Sequence, residues 1–224
     1  MSATLTVRQS LNPGSDYYAN VRHEMVPFLP DTYRRVLEIG CGDGVFADLL
    51  TRPHEMWGVE LDPDAAARAR PRLHRVLLGT FEQVQHQLPT NYFDLVVCND
   101  VLEHMADPDA FLTAVGAHMT RNGCLIASIP NMRHWQVLWQ LLVRKDWQYG
   151  REGIMDRTHL RFFTETSMRR MFTDAGFQIE RMQGINGVFD RTRRILFGAV
   201  TLLSLGHYAD TQYRQFGMTA RWPR

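Results

Sequence analysis

Five short apolar runs recur along the first 130 residues, each followed by a segment of helical spacing. No other feature limits the fold as much. The runs are RRVLEI, MWGVEL, RVLLG, FDLVVCND and CLIASIP. Strands so continuously apolar need cover on both faces, which a parallel sheet between two helical layers provides. Two helix starts punctuate the pattern: Asp62 precedes Pro63 and Asp107 precedes Pro108, an N-cap acid with proline in the first helical position. After Asp107, the residues Phe111, Leu112, Val115 and Met119 share one helical face. Beyond Pro130 the rhythm breaks. Residues 131–161 hold tryptophan and tyrosine anchors and several basic side chains, with no strand of the earlier kind. Helical order returns in TETSMRRMFTDAGF, where Met168, Met171, Phe172 and Ala175 form a stripe and Gly176 is a stop. FQIERMQ then reads as an antiparallel edge strand, Arg191–Leu205 as a helix and RQFGMTARW as the last strand.

Composition removes several classes of function. The 224 residues suit one domain, and a formal charge of +1 gives no general pull toward nucleic acid. Cys41, Cys98 and Cys124 form no CxxC pair and lie in or beside apolar strands, so they are expected to be buried and free. The first residues, MSATLTVRQS, lack the pattern of a secretory signal, and ILFGAVTLLSL is too short to span a bilayer. A cytoplasmic protein is expected. Arg191, Arg193 and Arg194 before that apolar run raise the alternative of a helix lying on a membrane, but packing on the sheet or in a homodimer is the expectation.

The first strand leads straight into glycines in VLEIGCGDG. Ligands of parallel sheets sit at the carboxyl ends of the strands, so this loop is where one is expected. A phosphate-binding P-loop is excluded, because Val45 and Phe46 follow Gly44 where Lys and Ser or Thr are needed. The dinucleotide pattern is weakened, because Gly40, Gly42 and Gly44 give GxGxG rather than GxGxxG. Glu60 ends the second strand and suits a ribose, which NAD and S-adenosylmethionine (SAM) share. Glu38 and Asp43 favour a ligand carrying an ammonium and a sulfonium over a pyrophosphate.

On these residues the chain resembles the class I SAM-dependent methyltransferases of the small-molecule type, close to those of bacterial glycan and natural-product assembly. VLEIGCGDG resembles their first motif, WGVELDPDAA their ribose-binding strand end, and FDLVVCNDVLEHMADP their fourth strand and next helix. HLRFFTETSMRRMFTDAGF continues the likeness. The resemblance implies a Rossmann-like α/β fold: a doubly wound seven-stranded sheet, mostly parallel, with an antiparallel C-terminal edge strand. Residues 1–224 would form one domain, with 1–30 as a lid and 131–161 as a substrate cap. It implies that Gly40, Cys41 and Gly42 approach the methionine part of SAM, that Glu60 holds the ribose and that Leu61 lies against the adenine. Glu38 and Asn99 join this set. Tyr17, Tyr18 and Arg22 belong to the lid. Many relatives place Gly-Asp after the third strand; here Gly79-Thr80-Phe81 stands instead, leaving Thr80 or the Phe81 backbone for the adenine.

For the chemistry, an amine acceptor needs little beyond alignment with the methyl group, whereas a hydroxyl needs a base. His104, His159 and Asp156 are the candidates, with Asp156 either orienting His159 or capping a turn, and His104 either a base or a residue that shapes the pocket. His134 is expected to pack or touch substrate. Asn99 and Asp100 are neighbours in a strand and point apart, so no metal is expected. Arg133, Arg144, Lys145, Arg151 and Arg157 suggest an anionic acceptor such as a nucleotide-linked or carboxylated sugar. The alternatives are a non-catalytic SAM-binding scaffold and an NAD-linked oxidoreductase.

Overall fold

The computed structural model describes residues 21–52, 54–187 and 190–224; Tyr17 and Tyr18 of the expected lid lie outside the described residues. Its strands are β1 (Arg35–Ile39), β2 (Glu55–Glu60), β3 (Arg75–Leu78), β4 (Phe93–Asn99), β5 (Met119–Pro130), β6 (Gln178–Gly187) and β7 (Tyr213–Arg221). They form one sheet in the order 3-2-1-4-5-7-6. β1 to β5 pair in parallel. β7 runs antiparallel between β5 and β6, which makes β6 the outermost strand. The chain winds outward from β1 to β3, then restarts at β4 on the other side of β1. The switch point therefore lies between β1 and β4, where ligands of such sheets bind.

The apolar runs form this sheet because the pleat shares them between two cores. In β4, Leu95 and Val97 join one cluster while Val96 and Cys98 join the other. In β5, Cys124 and Ile126 alternate in the same way with Leu125 and Ala127. Each of these side chains is at most 1% exposed, and burying one large apolar side chain contributes about 1.5–3 kcal/mol. A one-residue slip in register would exchange the two faces.

The helices are α1 (Pro63–Ala69), α2 (Phe81–Val84), α3 (Pro108–Gly116), α4 (Trp135–Leu142), α5 (Glu165–Asp174) and α6 (Arg191–Leu203). The expected caps are made. Asp62 accepts from the N–H groups of Asp64 and Ala65 at 3.0 and 2.8 Å, and Asp107 from that of Ala110 at 2.9 Å. Thr164 and Ser167 form a capping box on α5, and Gly176 just past its end has φ +97°. Met119 departs from the sequence reading: α3 stops at Gly116 and Met119 opens β5. The segment after Gly44 is a 3-10 turn (Val45–Leu49) rather than an α-helix. α6 departs most. It packs through one face only, and Ile195, Leu196, Leu202 and Leu203 on its other face are exposed.

Candidate active site

Backbone geometry builds the glycine loop. Gly40, Gly42 and Gly44 all have positive φ, at +69°, +51° and +73°. A Cβ on Gly40 would sit 2.8 Å from Val101 Cγ2, so this turn also needs the missing side chain for space. Gly58 on β2 makes room from below, since a Cβ there would lie 2.5 Å from Cys41 Sγ. Cys41 thereby packs under the loop, and burial pushes its thiol pKa up. All three cysteines are free and buried, as expected.

Glu60 closes the loop from the end of β2. Its Oε2 accepts from Gly42 N–H at 2.7 Å and its Oε1 from Asp62 N–H at 2.8 Å. These bonds fix the carboxylate's orientation at the mouth of the loop. Leu61 beside it is exposed and offers an apolar surface. Glu38 lies beneath, with Oε2 unpartnered; burial, then the nearby Glu60, raise its carboxyl well above the usual range. Both polar side-chain atoms of Asn99, at the end of β4, are likewise buried without a partner. Buried polar groups of this kind need an explanation, and a polar ligand supplies one. Asp43 is differently used: Arg68 Nε donates to its Oδ1 at 2.9 Å. Of the two acids read as facing a cationic ligand, Glu38 keeps its Oε2 without a partner among the described residues, whereas Asp43 is paired. Thr80 accepts from Gln83 N–H as the N-cap of α2, and Phe81 is buried edge-on against Phe111. That leaves the first amides of α2, not the Phe81 ring, for an adenine.

Of the three residues named for the lid, Arg22 is the one within the described residues. It is buried across the ends of β4, β5 and β7, where it pairs with Asp100 and donates to Ser128 Oγ at 3.2 Å and Gln215 Oε1 at 3.3 Å. Asp100 also accepts from Ser128 Oγ and Gln215 Nε2, while its backbone takes a positive φ of 53°. Sequence reasoning missed Ser128 and Gln215 because both lie far along the chain from Arg22.

Beside this network lies a cavity of about 210 Å³, lined in part by Asp100, Glu103, His104, His159, Arg214 and Gln215. Glu103 is 1% exposed with both carboxylate oxygens unpartnered, and burial raises its pKa to about 8. Its backbone carbonyl takes the N–H groups of Leu160 and Arg161 at 2.8 and 3.0 Å, joining the LEH turn to the later segment. The two imidazoles are oriented alike. His104 Nδ1 donates to the Thr158 carbonyl at 3.2 Å and His159 Nδ1 to that of Ile154 at 3.0 Å. Carbonyls only accept, so each ring carries its proton on Nδ1 and presents Nε2 as a base. The rings meet edge-on at 4.7 Å, and His104 Nε2 is buried without a partner. Burial lowers both pKa values, and His159 lowers that of His104 further. Ligand-type atoms of Glu103, His104 and His159 all lie within 4.8 Å of one another.

Asp156 does not orient His159. Its Oδ1 accepts from the N–H and hydroxyl of Thr158, both at 2.7 Å, so the turn-capping alternative is the one realised. His134 is buried, and desolvation followed by Arg214 lowers its pKa to about 4. Arg133 is tied to Asp210, while Arg157 lines a second, more open cavity of about 550 Å³ with Trp147, Tyr149 and His159. Glu103 and Arg214, like Gln215, are lining groups the sequence reading passed over; the acid beside His104 in DVLEH was the available signal for the first.

A largely parallel sheet that switches direction beside a glycine loop, with a strand-end acid and a polar cavity next to it, is the Rossmann-like α/β architecture with its ligand crevice at the switch point. Residues 14–181 match the model of the methyltransferase domain family, and the chain belongs to that family. It is 30% identical over 155 residues to a probable S-adenosylmethionine-dependent methyltransferase of Mycobacterium tuberculosis, covering 69% of this chain and 52% of that one. It is 26% identical to the ubiquinone biosynthesis O-methyltransferase of Aeromonas salmonicida, covering 68% and 66%. The chain thus spans about half to two thirds of these relatives' length. A SAM-dependent methyltransferase structure from Archaeoglobus fulgidus shares the fold, with a TM-score of 0.64, 17% identity and 92% of each chain covered.

Proposed function

We propose that this chain is a methyltransferase that uses SAM to methylate an oxygen or nitrogen of a small-molecule acceptor. The observation that carries the reading is the loop end of β1 and β4, where Glu38 Oε2 and the Asn99 amide are buried without partners among the described residues, beside a Glu60 held by Gly42 and Asp62. These groups fit the cofactor. Gly40, Cys41 and Gly42 would meet its methionine part, with Glu38 and Asn99 near the ammonium. The two free lone-pair directions of Glu60 suit the ribose hydroxyls, Leu61 the adenine face and the amides after Thr80 its edge. Arg22 holds the far wall in place through Asp100. When bound, SAM supplies a methyl carbon already activated by its sulfonium.

The acceptor would occupy the 210 Å³ cavity beside that crevice. His104 Nε2 is the base best placed to take a proton from an acceptor hydroxyl, its ring fixed by Thr158 and its pKa lowered by burial, which favours the neutral form. His159 braces that ring, and Asp156 braces the turn that carries His159. Arg214 and Arg157 favour an acceptor with anionic character, such as a nucleotide-linked or carboxylated sugar, with residues 131–161 as its cap. Three free thiols suit the cytoplasm. A second reading, favoured by the 4.8 Å cluster, has Glu103, His104 and His159 hold a divalent cation. Incubating the protein with SAM and a panel of acceptors, with and without EDTA, tests both. Gain of one methyl group regardless of EDTA supports the base reading, its loss on chelation supports the cation, and no methylated product from any acceptor class rejects the proposal.

A further inference from the structure

α6 turns its more apolar face outward. Phe197, Val200, Thr201 and Ser204, at spacings of three, four and seven, are half-buried and face inward. Ile195 and Leu202, and Leu196 and Leu203, each seven apart, form two rows on the other side. These four and the following Leu205 are 60–96% exposed. α4 adds Trp139 and Leu142, and its C-cap Val143, all more than half exposed. Single exposed leucines are ordinary, but a set of this size on adjoining helices marks an interaction surface.

The two helices are braced as one unit. The Trp135 and Phe197 rings lie 6.3 Å apart. At the foot of α4, Arg133 donates to Asp210 Oδ2 at 2.5 Å and to the His207 carbonyl at 3.1 Å, with its guanidinium 5.6 Å from the Tyr208 ring centre. Charge identifies what this unit fits. Residues 131–161 and 190–210 together hold nine Lys or Arg against five Asp or Glu, in a chain whose formal total is +1. Arg144, Lys145, Arg151 and Arg194 are exposed. A second copy seated on this surface would bring like charges together, whereas an anionic bilayer would neutralise them. No helix among the described residues is long and apolar enough to cross a membrane, so such a surface lies on one.

We propose that α4 and α6 dock the protein on an anionic lipid bilayer. The 550 Å³ cavity bounded by Trp147, Tyr149, Arg157 and His159 follows directly after α4, so docking would bring it near acceptors anchored in the membrane. The docking stands apart from methyl transfer; the membrane-borne acceptor rests on the function proposed above.

Sedimentation of the full chain with phosphatidylcholine vesicles, plain or mixed with phosphatidylglycerol, tests it. The wild type is expected to bind the mixed vesicles about ten-fold more than the plain ones and to release them in high salt. Replacing Leu202→Glu and Leu203→Glu together should lower binding about ten-fold while S-adenosylhomocysteine affinity and circular dichroism stay unchanged. Arg144→Glu with Arg194→Glu should remove the preference for the mixed vesicles. Absence of wild-type vesicle binding, or binding untouched by either pair, overturns the proposal. So does a wild-type dimer by light scattering that the leucine pair converts to monomer, since a second copy would then cover the face.

Discussion

The glycine loop and the Glu103 cavity lie at adjoining strand ends, yet they are built in opposite ways. Around the loop, these polar partners are backbone amides from one strand–loop–strand unit: Glu60 takes those of Gly42 and Asp62, and Asp62 those of Asp64 and Ala65. Around the cavity, partners are distant in sequence. Arg22 reaches Asp100, Ser128 and Gln215, while His104 depends on the Thr158 carbonyl. A backbone-built crevice works for any side chains that respect the glycines and the closing acid. A cavity built from remote side chains changes with each of them. The contrast suits a constant cofactor beside a variable acceptor.

The contrast can be broken most severely at His104. His104→Ala should lower kcat for a hydroxyl acceptor about 10²–10⁴-fold while leaving S-adenosylhomocysteine affinity intact, measured by initial rates and calorimetry. Burial lowers the His104 pKa, so the base form persists to more acid pH, and the acid limb of the wild-type kcat/KM profile should fall below the ordinary histidine range. Next comes Arg22→Leu, which leaves Asp100 without its cation; about 3 kcal/mol of stability should be lost in urea unfolding. Glu103→Gln should act through pH. The folded-state pKa of Glu103 is raised from 4.5 to about 8, so its ionisation erodes stability as pH rises through that window. The variant should therefore gain melting temperature over wild type, with the gap widening from pH 6 to pH 9. Smallest is Thr80→Ala, which removes the α2 cap for about 1 kcal/mol and touches the cofactor side alone.

The same contrast explains what the sequence disclosed. The five strands, the Asp-Pro helix starts and the Gly176 stop were legible because each depends on spacing within a few residues, and Glu60 because it ends the strand that follows the glycine loop. The Arg22 network and the joining of Glu103 to Leu160 were not, since no local pattern announces which distant side chains will meet. Asp43 pairs with Arg68, one helix away, a partner that no local pattern announced. Asp156 and His159 are neighbours in sequence, but the Thr158 hydroxyl and amide lie between them as nearer partners. α6 misled in another way. Its apolar content was plain, but which face it would turn inward depended on α4, itself part of the segment where the strand rhythm fails.

Calorimetric titration with S-adenosylhomocysteine, wild type against Glu60→Ala, addresses the crevice most directly. The wild type should bind one equivalent and the variant at least about 100-fold more weakly, as expected when a buried charged acceptor of two hydroxyls is removed. Equal affinity in the two proteins, or no heat with the wild type, would contradict the placing of the nucleoside at the end of β2.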